Sequence, residues 1–382
     1  MMSAVAWLRE RLSDRTLFDH SCQPPERLST RIPPDYSRRC FLPESLPDTL
    51  RQTPYTVAYR LALRWLAQYL GCDPTEEAIL HARAERSFEE YVQLLAEDAR
   101  LGPACALSSA DERVYSPTEW AALVQRPVAD LVAVEPLAEK LLPHCTSWDE
   151  LRTLLAQALA EAVGRGAVAL VSDFPRRTSL AIQPIDVATA DRSFYEVRAE
   201  MDAGLFEQLH HRRLLYALFW IALEVAAELT IPLQIVLPRH PARDPHADDP
   251  AYLRTVLDET RYQHVPIVLV SPLRLHPHAI ALARQYPQVL LDPGPSFLVY
   301  PGLASATIRE LVTSVPTLKL LASTGGHFLP EHQWFVARVW RLALVEALGS
   351  LVEDGLLTLA EAEMDAMLIL TGNAQRTYRF PR

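Results

Sequence analysis

The chain has 382 residues, 49% of them hydrophobic, which is enough for one large barrel or two average domains with a sizeable core. Its net charge of −10 at pH 7 argues against nucleic-acid partners, which need a basic surface. Five scattered cysteines, with no CxxC pair, favour reduced thiols in a cytoplasmic protein over a disulfide framework or a structural zinc site. The longest strongly apolar run, Leu214–Leu223, is too short to cross a bilayer, so we expect no membrane partner.

Short apolar runs alternate with longer helical stretches along most of the chain, a pattern typical of strands buried on both faces of a parallel sheet. The predicted strands are Leu17–Cys22, Cys105–Ser108, Leu131–Glu135, Ala167–Ser172, Leu233–Leu237, Ile267–Ser271, Val289–Asp292 and Leu318–Ser323. The predicted helices between them include Trp148–Val163, Phe206–Leu229, Ala251–Tyr262 and His278–Tyr286. Strand–helix alternation on this scale predicts an α/β fold, a (β/α)8 TIM barrel. An open doubly wound sheet is the alternative, weakened because no Gly-rich phosphate loop follows any strand.

A long insertion, about residues 41–102, separates the first two predicted strands. Helical periodicity at Val57–Leu70 and Thr75–Asp98 predicts a helical insertion beside the barrel mouth. Near the end of the chain, Thr358 and Glu361 form a predicted capping box. No interdomain linker or internal repeat stands out, so we expect residues 1–382 to form a single barrel domain.

Six short motifs, in chain order, resemble the amidohydrolase superfamily, and most closely the branch whose barrels also occur fused to glutamine-synthetase-like domains. The motifs are Leu17-Phe18-Asp19-His20, Leu94–Ala99, Arg177-Thr178-Ser179-Leu180, Pro232–Ile235, Leu320-Leu321-Ala322-Ser323 and Asn373–Tyr378. The resemblance implies an amidohydrolase-like barrel with its chemistry at the carboxyl ends of the strands.

The resemblance also implies where a metal would bind. Members hold it with His-x-His on strand one, Lys or Glu on strand four, His on strands five and six, and Asp on strand eight. Such ligands lower the pKa of a metal-bound water. The matching positions here are Ser21, Gln23, Val171, Val236, Ser271 and Thr324. None is a good ligand, so we expect the metal site to be lost and no cofactor to be present. Shifting the alignment of strand one by one residue, so that His20 takes a ligand position, does not recover the metal site. Successive side chains of a strand point to opposite faces, so we expect His20 to point away from the barrel interior.

Each candidate catalytic residue also has a structural interpretation. The candidates are His327, Glu331 and Asp292. His327 and Glu331 lie four residues apart, a spacing that suits an acid–base pair or a structural helix cap. The substrate-binding candidates are Gln23, Arg176, Ser271 and Thr324. Arg176 is the anion contact we expect if a small carboxylate-bearing ligand binds.

Other polar clusters have simpler interpretations. The His- and Asp-rich stretch Arg239–Asp249 favours a solvated loop over a relocated metal site. His210 and His211, followed by two arginines, predict the polar start of a helix rather than a site. Cys22 is a nucleophile candidate only if strand alternation, which turns it away from the interior, is broken.

Three functions are consistent with the sequence. The first is a catalytically degenerate amidohydrolase homologue that acts as a binding, scaffold or regulatory subunit, with an active paralogue or other protein subunit as partner. The second is a metal-independent hydrolase, lactonase or lyase that uses the barrel mouth. The third is a metal-dependent amidohydrolase that cleaves C–N or C–O bonds with zinc or manganese. A homodimer is a family-level expectation.

Overall fold

The computed structural model describes residues 3–27, 50–109, 111–238, 248–271, 277–326 and 329–380. The chain divides into two compact units. The first comprises Met1–Val128, Pro293–Thr313 and Ala322–Gly372, and the second comprises Ala129–Asp292, Ser314–Leu321 and Asn373–Arg382. The single-domain interpretation of the sequence stays a prediction.

Seven strands form one parallel sheet, in which the spatial order follows the chain from β1 to β7. The strands are β1 Leu17–Cys22, β2 Leu101–Leu107, β3 Val128–Ala133, β4 Ala169–Ser172, β5 Leu233–Val236, β6 Ile267–Val270 and β7 Val289–Asp292. β1 pairs with β2 in the first unit, and β3 to β7 pair consecutively in parallel register. The order has no reversal point, which a doubly wound sheet requires.

The predicted closed (β/α)8 TIM barrel is wrong, because the described residues form an open sheet of seven strands in linear order, from β1 to β7. The predicted eighth strand, Leu318–Ser323, begins inside a 3-10 turn at Thr317–Lys319. It contributes only one parallel bridge, between Leu320 and Leu291, to the described part of the sheet.

Side chains from the end of the chain explain why this segment is not a strand. Asn373 Nδ2 donates to the carbonyls of Thr317 (2.7 Å) and Leu320 (2.8 Å). Arg376 Nη2 donates to the carbonyl of Leu318 (2.7 Å). These carbonyls therefore bond to side chains rather than to the amides of a neighbouring strand.

The other strand predictions are confirmed with shifted ends. β1 and β7 have the predicted bounds, whereas β2 begins at Leu101 rather than Cys105. β3 ends at Ala133, so Glu135 lies in the first turn of the following helix rather than in a strand.

Helices surround the strands in both units. Those of the first unit are Ala4–Arg11, Val57–Leu70, Glu76–Ala84, Phe88–Asp98, Pro117–Val124, Ala304–Ser314, Pro330–Glu353 and Leu359–Met367. Those of the second are Val134–Leu141, Trp148–Gly164, Phe174–Arg177, Val187–Asp202, Arg212–Leu229, Arg254–Leu257, Pro277–Gln285 and Asn373–Thr377.

The helical insertion is confirmed for the residues that the structure describes; residues 28–49 lie outside them. Its helices begin at the side-chain caps Thr56, Thr75 and Ser87. Each cap oxygen accepts an amide that the helix leaves without a partner. The predicted capping box of Thr358 is also confirmed.

The apolar run Leu214–Leu223 is the core of the helix Arg212–Leu229, which begins later than the predicted Phe206. Leu214, Leu218 and Phe219 are fully buried in it. Each such side chain stabilises the fold by about 1.5–3 kcal/mol. None of the helices in the described ranges is long and apolar enough to cross a membrane.

Candidate functional site

In the first unit, β1 is hydrogen-bonded to the segment that follows Ala322. Thr324 donates its amide to Asp19 Oδ1 (2.8 Å) and its hydroxyl to Asp19 Oδ2 (2.5 Å). Both residues are buried, with 1% and 3% of their surface exposed. Thr324 therefore satisfies a buried carboxylate, and its predicted contact with a substrate stays a prediction.

Backbone hydrogen bonds extend this connection along the strand. Gly325 donates to the carbonyl of Ser21 (3.0 Å), and Gln23 donates to the carbonyl of Gly326 (2.8 Å). Gly325 has φ +55°, and a Cβ there would lie 2.5 Å from the side chain of Pro295. The position therefore requires glycine. Gln23 and Thr324, two predicted substrate contacts, therefore lie on two segments that are hydrogen-bonded to each other.

Cys22 and Cys105 lie next to Asp19 but are poor nucleophiles. Both thiols are buried, and Cys22 Sγ lies 3.6 Å from the carbonyl of Cys105. Burial raises the pKa of Cys22 well above its ordinary value, and the charge of Asp19 raises it further. Both thiols therefore stay protonated at neutral pH. A shallow pocket, open to solvent and with room for about one water molecule, is lined by residues that include Asp19, Cys22, Trp120, Arg126 and Gln333.

Glu331, a catalytic candidate, is held in an ion pair. It lies in the first turn of the helix Pro330–Glu353, and its Oε1 is 2.7 Å from Arg83 Nη1. Arg83 is only 1% exposed, and its guanidinium also lies 5.2 Å from the ring centre of Tyr91. The proposed partner His327 lies outside the described residues, so the acid–base pair stays a prediction.

In the second unit, the carboxyl ends of β3 and β4 hold a buried acid that sequence reasoning missed. Glu135 has no exposed surface and accepts hydrogen bonds from the Ser172 hydroxyl and the Asp173 amide (3.0 Å). Burial, followed by the charge of Asp173, raises the pKa of Glu135 to about 8. The sequence signal for this acid is a single carboxylate directly after an apolar run, a pattern that predicts the end of the strand Leu131–Glu135.

The two arginines after β4 have different surroundings. Arg176 is exposed on the short helix Phe174–Arg177, as an anion contact would need to be. Arg177 is half-buried and pairs with Glu139 (2.6 Å) and Asp173 (2.8 Å). It therefore orders the loop and is not a solvated side chain.

The remaining candidates lie at the ends of β6 and β7. Asp292 is fully buried at the end of β7, and its carbonyl accepts a hydrogen bond from the Ser271 amide (2.8 Å). Ser271 is 1% exposed and has φ +62°, which is uncommon for a residue with a side chain. In the same unit, Gln234 Nε2 donates to Tyr378 Oη (2.9 Å), both of them buried. The terminal Asn-Ala-x-Arg-x-Tyr motif therefore contacts a strand as well as the 317–320 segment.

The residues present do not fit the metal that the resemblance implies. Val171 is buried and Val236 half-buried, and neither has a donor atom. The Thr324 hydroxyl is already used on Asp19. Within the described ranges, the residues that group as possible metal ligands are Glu200, His210 and His211, none of which belongs to the implied set.

No protein-family model matches the chain. Over 132 residues, 34% of its length, it is 36% identical to Protein fluG of Emericella nidulans. That stretch is 15% of the fluG protein, so the chain matches only a small part of this relative.

Solved structures are similar over nearly the whole chain. A provisionally assigned metal-dependent hydrolase from Lactobacillus casei ATCC 334 has a TM-score of 0.86 at 19% identity, with 97% of each chain covered. The uronate isomerase of Thermotoga maritima has a TM-score of 0.68 at 14% identity, covering 99% of this chain and 98% of its own. The uronate isomerase of Bacillus halodurans C-125 has a TM-score of 0.65 at 15% identity, covering 99% and 97%. At these identities the likeness shows the fold, which is hydrolase- and isomerase-like, and not the activity.

Proposed function

We propose that this chain is a catalytically degenerate relative of the metal-dependent hydrolases, acting as a binding, scaffold or regulatory subunit. The Thr324–Asp19 hydrogen bonds carry the proposal. They are made at the position where the resemblance implies a metal-binding Asp, and they occupy both oxygens of the neighbouring carboxylate. A hydroxyl donating to a carboxylate provides no base for an attacking water.

The implied ligand positions in the second unit support the same conclusion. Val171 and Val236 replace ligands with hydrocarbon, so a divalent ion there would lose the imidazole and carboxylate donors it requires. Arg176 is exposed on the helix Phe174–Arg177, where solvent or a small carboxylate-bearing ligand can reach its guanidinium. An active paralogue or another protein subunit is the partner class that a regulatory role requires.

Metal analysis by mass spectrometry tests this function, on protein expressed with added zinc and manganese. Asp19→Asn serves as the matched variant, because asparagine keeps the size of the side chain but is a poor metal ligand. We expect wild type and Asp19→Asn to hold the same amount of metal, and neither to hydrolyse amide or ester substrates. Stoichiometric metal in the wild type that is lost in Asp19→Asn would overturn the proposal.

Glu135 supports metal-independent catalysis as a second candidate function. A carboxyl group with a pKa of about 8 is protonated at neutral pH and has the proton that a general acid needs. Glu135 and Ser172 both have no exposed surface, so substrate would reach them only if the surrounding side chains move. A lactone and ester screen of wild type against Glu135→Gln tests this candidate. Activity that disappears in the variant would favour the enzyme over the regulatory subunit.

A further inference from the structure

Three potential metal ligands converge in the second unit, away from the implied metal positions. Glu200 lies in the last turn of the helix Val187–Asp202, and His211 is the residue that precedes Arg212–Leu229. Glu200 Oε1 lies 3.3 Å from His211 Nε2 and 3.9 Å from His210 Nε2. One ligand atom from each residue falls within 4.8 Å of the other two.

The hydrogen bonds around these side chains leave ligand atoms facing one another. His210 Nδ1 lies 3.2 Å from the carbonyl of Gln208, which can only accept, so Nδ1 donates to it and Nε2 is the ring nitrogen that faces Glu200. Metal-binding histidines are commonly oriented by such a contact. Glu200 Oε2 and His211 Nδ1 are buried without a hydrogen-bond partner in the described structure. The atoms that converge are Glu200 Oε1 and the Nε2 atoms of the two histidines, and an ion between them would be bound by these three atoms.

The loop that presents the histidines is anchored at Leu209. The Leu209 amide donates to Glu139 Oε1 (2.7 Å), and its carbonyl accepts from Arg177 (3.4 Å). Glu139 and Arg177 are themselves ion-paired at 2.6 Å. The backbone at Leu209, the residue before the two histidines, is thereby fixed before any ion binds, which lowers the ordering cost of binding.

We propose that Glu200, His210 and His211 bind a zinc ion that links the end of one helix to the start of the next. Zinc bonds of about 2.1 Å at tetrahedral angles place ligand atoms about 3.4 Å apart. The His211–Glu200 distance of 3.3 Å already matches, and the His210 side chain, 60% exposed, is free to move closer. Two imidazoles select zinc over magnesium or calcium, which prefer oxygen. Water completes the fourth position.

Titration calorimetry with zinc chloride on metal-free protein tests the site. We expect His210→Gln, His211→Gln and Glu200→Gln each to weaken zinc binding at least tenfold and to abolish the zinc-dependent rise in melting temperature. His81→Gln is the matched control, because His81 lies at the same 3.3 Å distance from Glu85 and, within the described ranges, no third potential ligand joins that pair. We expect this control to bind zinc as the wild type does.

Unchanged zinc affinity in the three variants would show that the cluster is only a His–Glu ion pair and would overturn the proposal. Because the His210 side chain is exposed, we expect His210→Gln to fold as the wild type does. Circular dichroism checks this. The outcome for this zinc site can be distinguished from the outcome for the proposed function. Metal lost in His210→Gln but kept in Asp19→Asn supports this site, whereas the reverse pattern overturns the loss of the implied metal centre.

Discussion

Thr324 and Asp19, 305 residues apart in the sequence, form two hydrogen bonds, and Asp19 lies within β1. We expect Thr324→Val to lower the free energy of unfolding by about 1–3 kcal/mol, because it leaves a buried carboxylate without its hydroxyl donor. Thr324→Ser keeps the hydroxyl and should cost less. Urea unfolding of the two variants checks this, and equal losses would show that the hydroxyl contributes no more to stability than the methyl group does.

The Arg83–Glu331 ion pair predicts that the free energy of unfolding depends strongly on both side chains. Glu331→Gln leaves a guanidinium that is 1% exposed without its counter-charge. We expect a loss of about 3–5 kcal/mol in the free energy of unfolding. The double variant Arg83→Met, Glu331→Gln should recover part of that loss, because no buried charge remains. Additive losses in this double-mutant cycle would contradict the coupling.

Glu135 predicts a specific pH dependence of stability. Its pKa is raised in the folded state from 4.5 to about 8, so its contribution to stability is fully present below pH 4.5 and is lost as the pH rises towards 8. Relative to Glu135→Gln, the wild type should lose about 1.4 kcal/mol for each pH unit in this window. Chemical unfolding of both proteins at several pH values measures the difference. If the free energies of unfolding of the two proteins change with pH in parallel, the pKa of Glu135 is not raised in the folded protein.

The buried thiols predict low reactivity. Cys22 and Cys105 are 4% and 0% exposed, and burial raises both pKa values well above the ordinary value. We expect neither to react with an alkylating reagent in native protein at pH 8, and both to react after denaturation. Peptide mapping by mass spectrometry identifies the modified residues. Rapid labelling of Cys22 would revive the nucleophile that strand alternation argued against.

Much of the local structure could be predicted from the sequence. The bounds of β1 and β7 were correct, as were the insertion helix Val57–Leu70 and the capping box of Thr358. Each is encoded by a run of neighbouring residues, through apolar periodicity or a cap, so no distant contact is needed. The lack of ligand chemistry at Val171 and Val236 is likewise a property of the residues themselves.

Tertiary structure decided the features that depend on distant residues. The segment before Ser323 has the sequence pattern of a strand, but Asn373 and Arg376 hydrogen-bond to three of its carbonyls, and it contributes one bridge to the described sheet. Helical periodicity placed His210 and His211 at a helix start, whereas their closeness to Glu200 depends on how that loop folds back. Sequence patterns report which residues share a face of one element. The pairing of charges and hydrogen bonds across hundreds of residues is settled only when the elements pack, because burial makes an unpaired polar group costly.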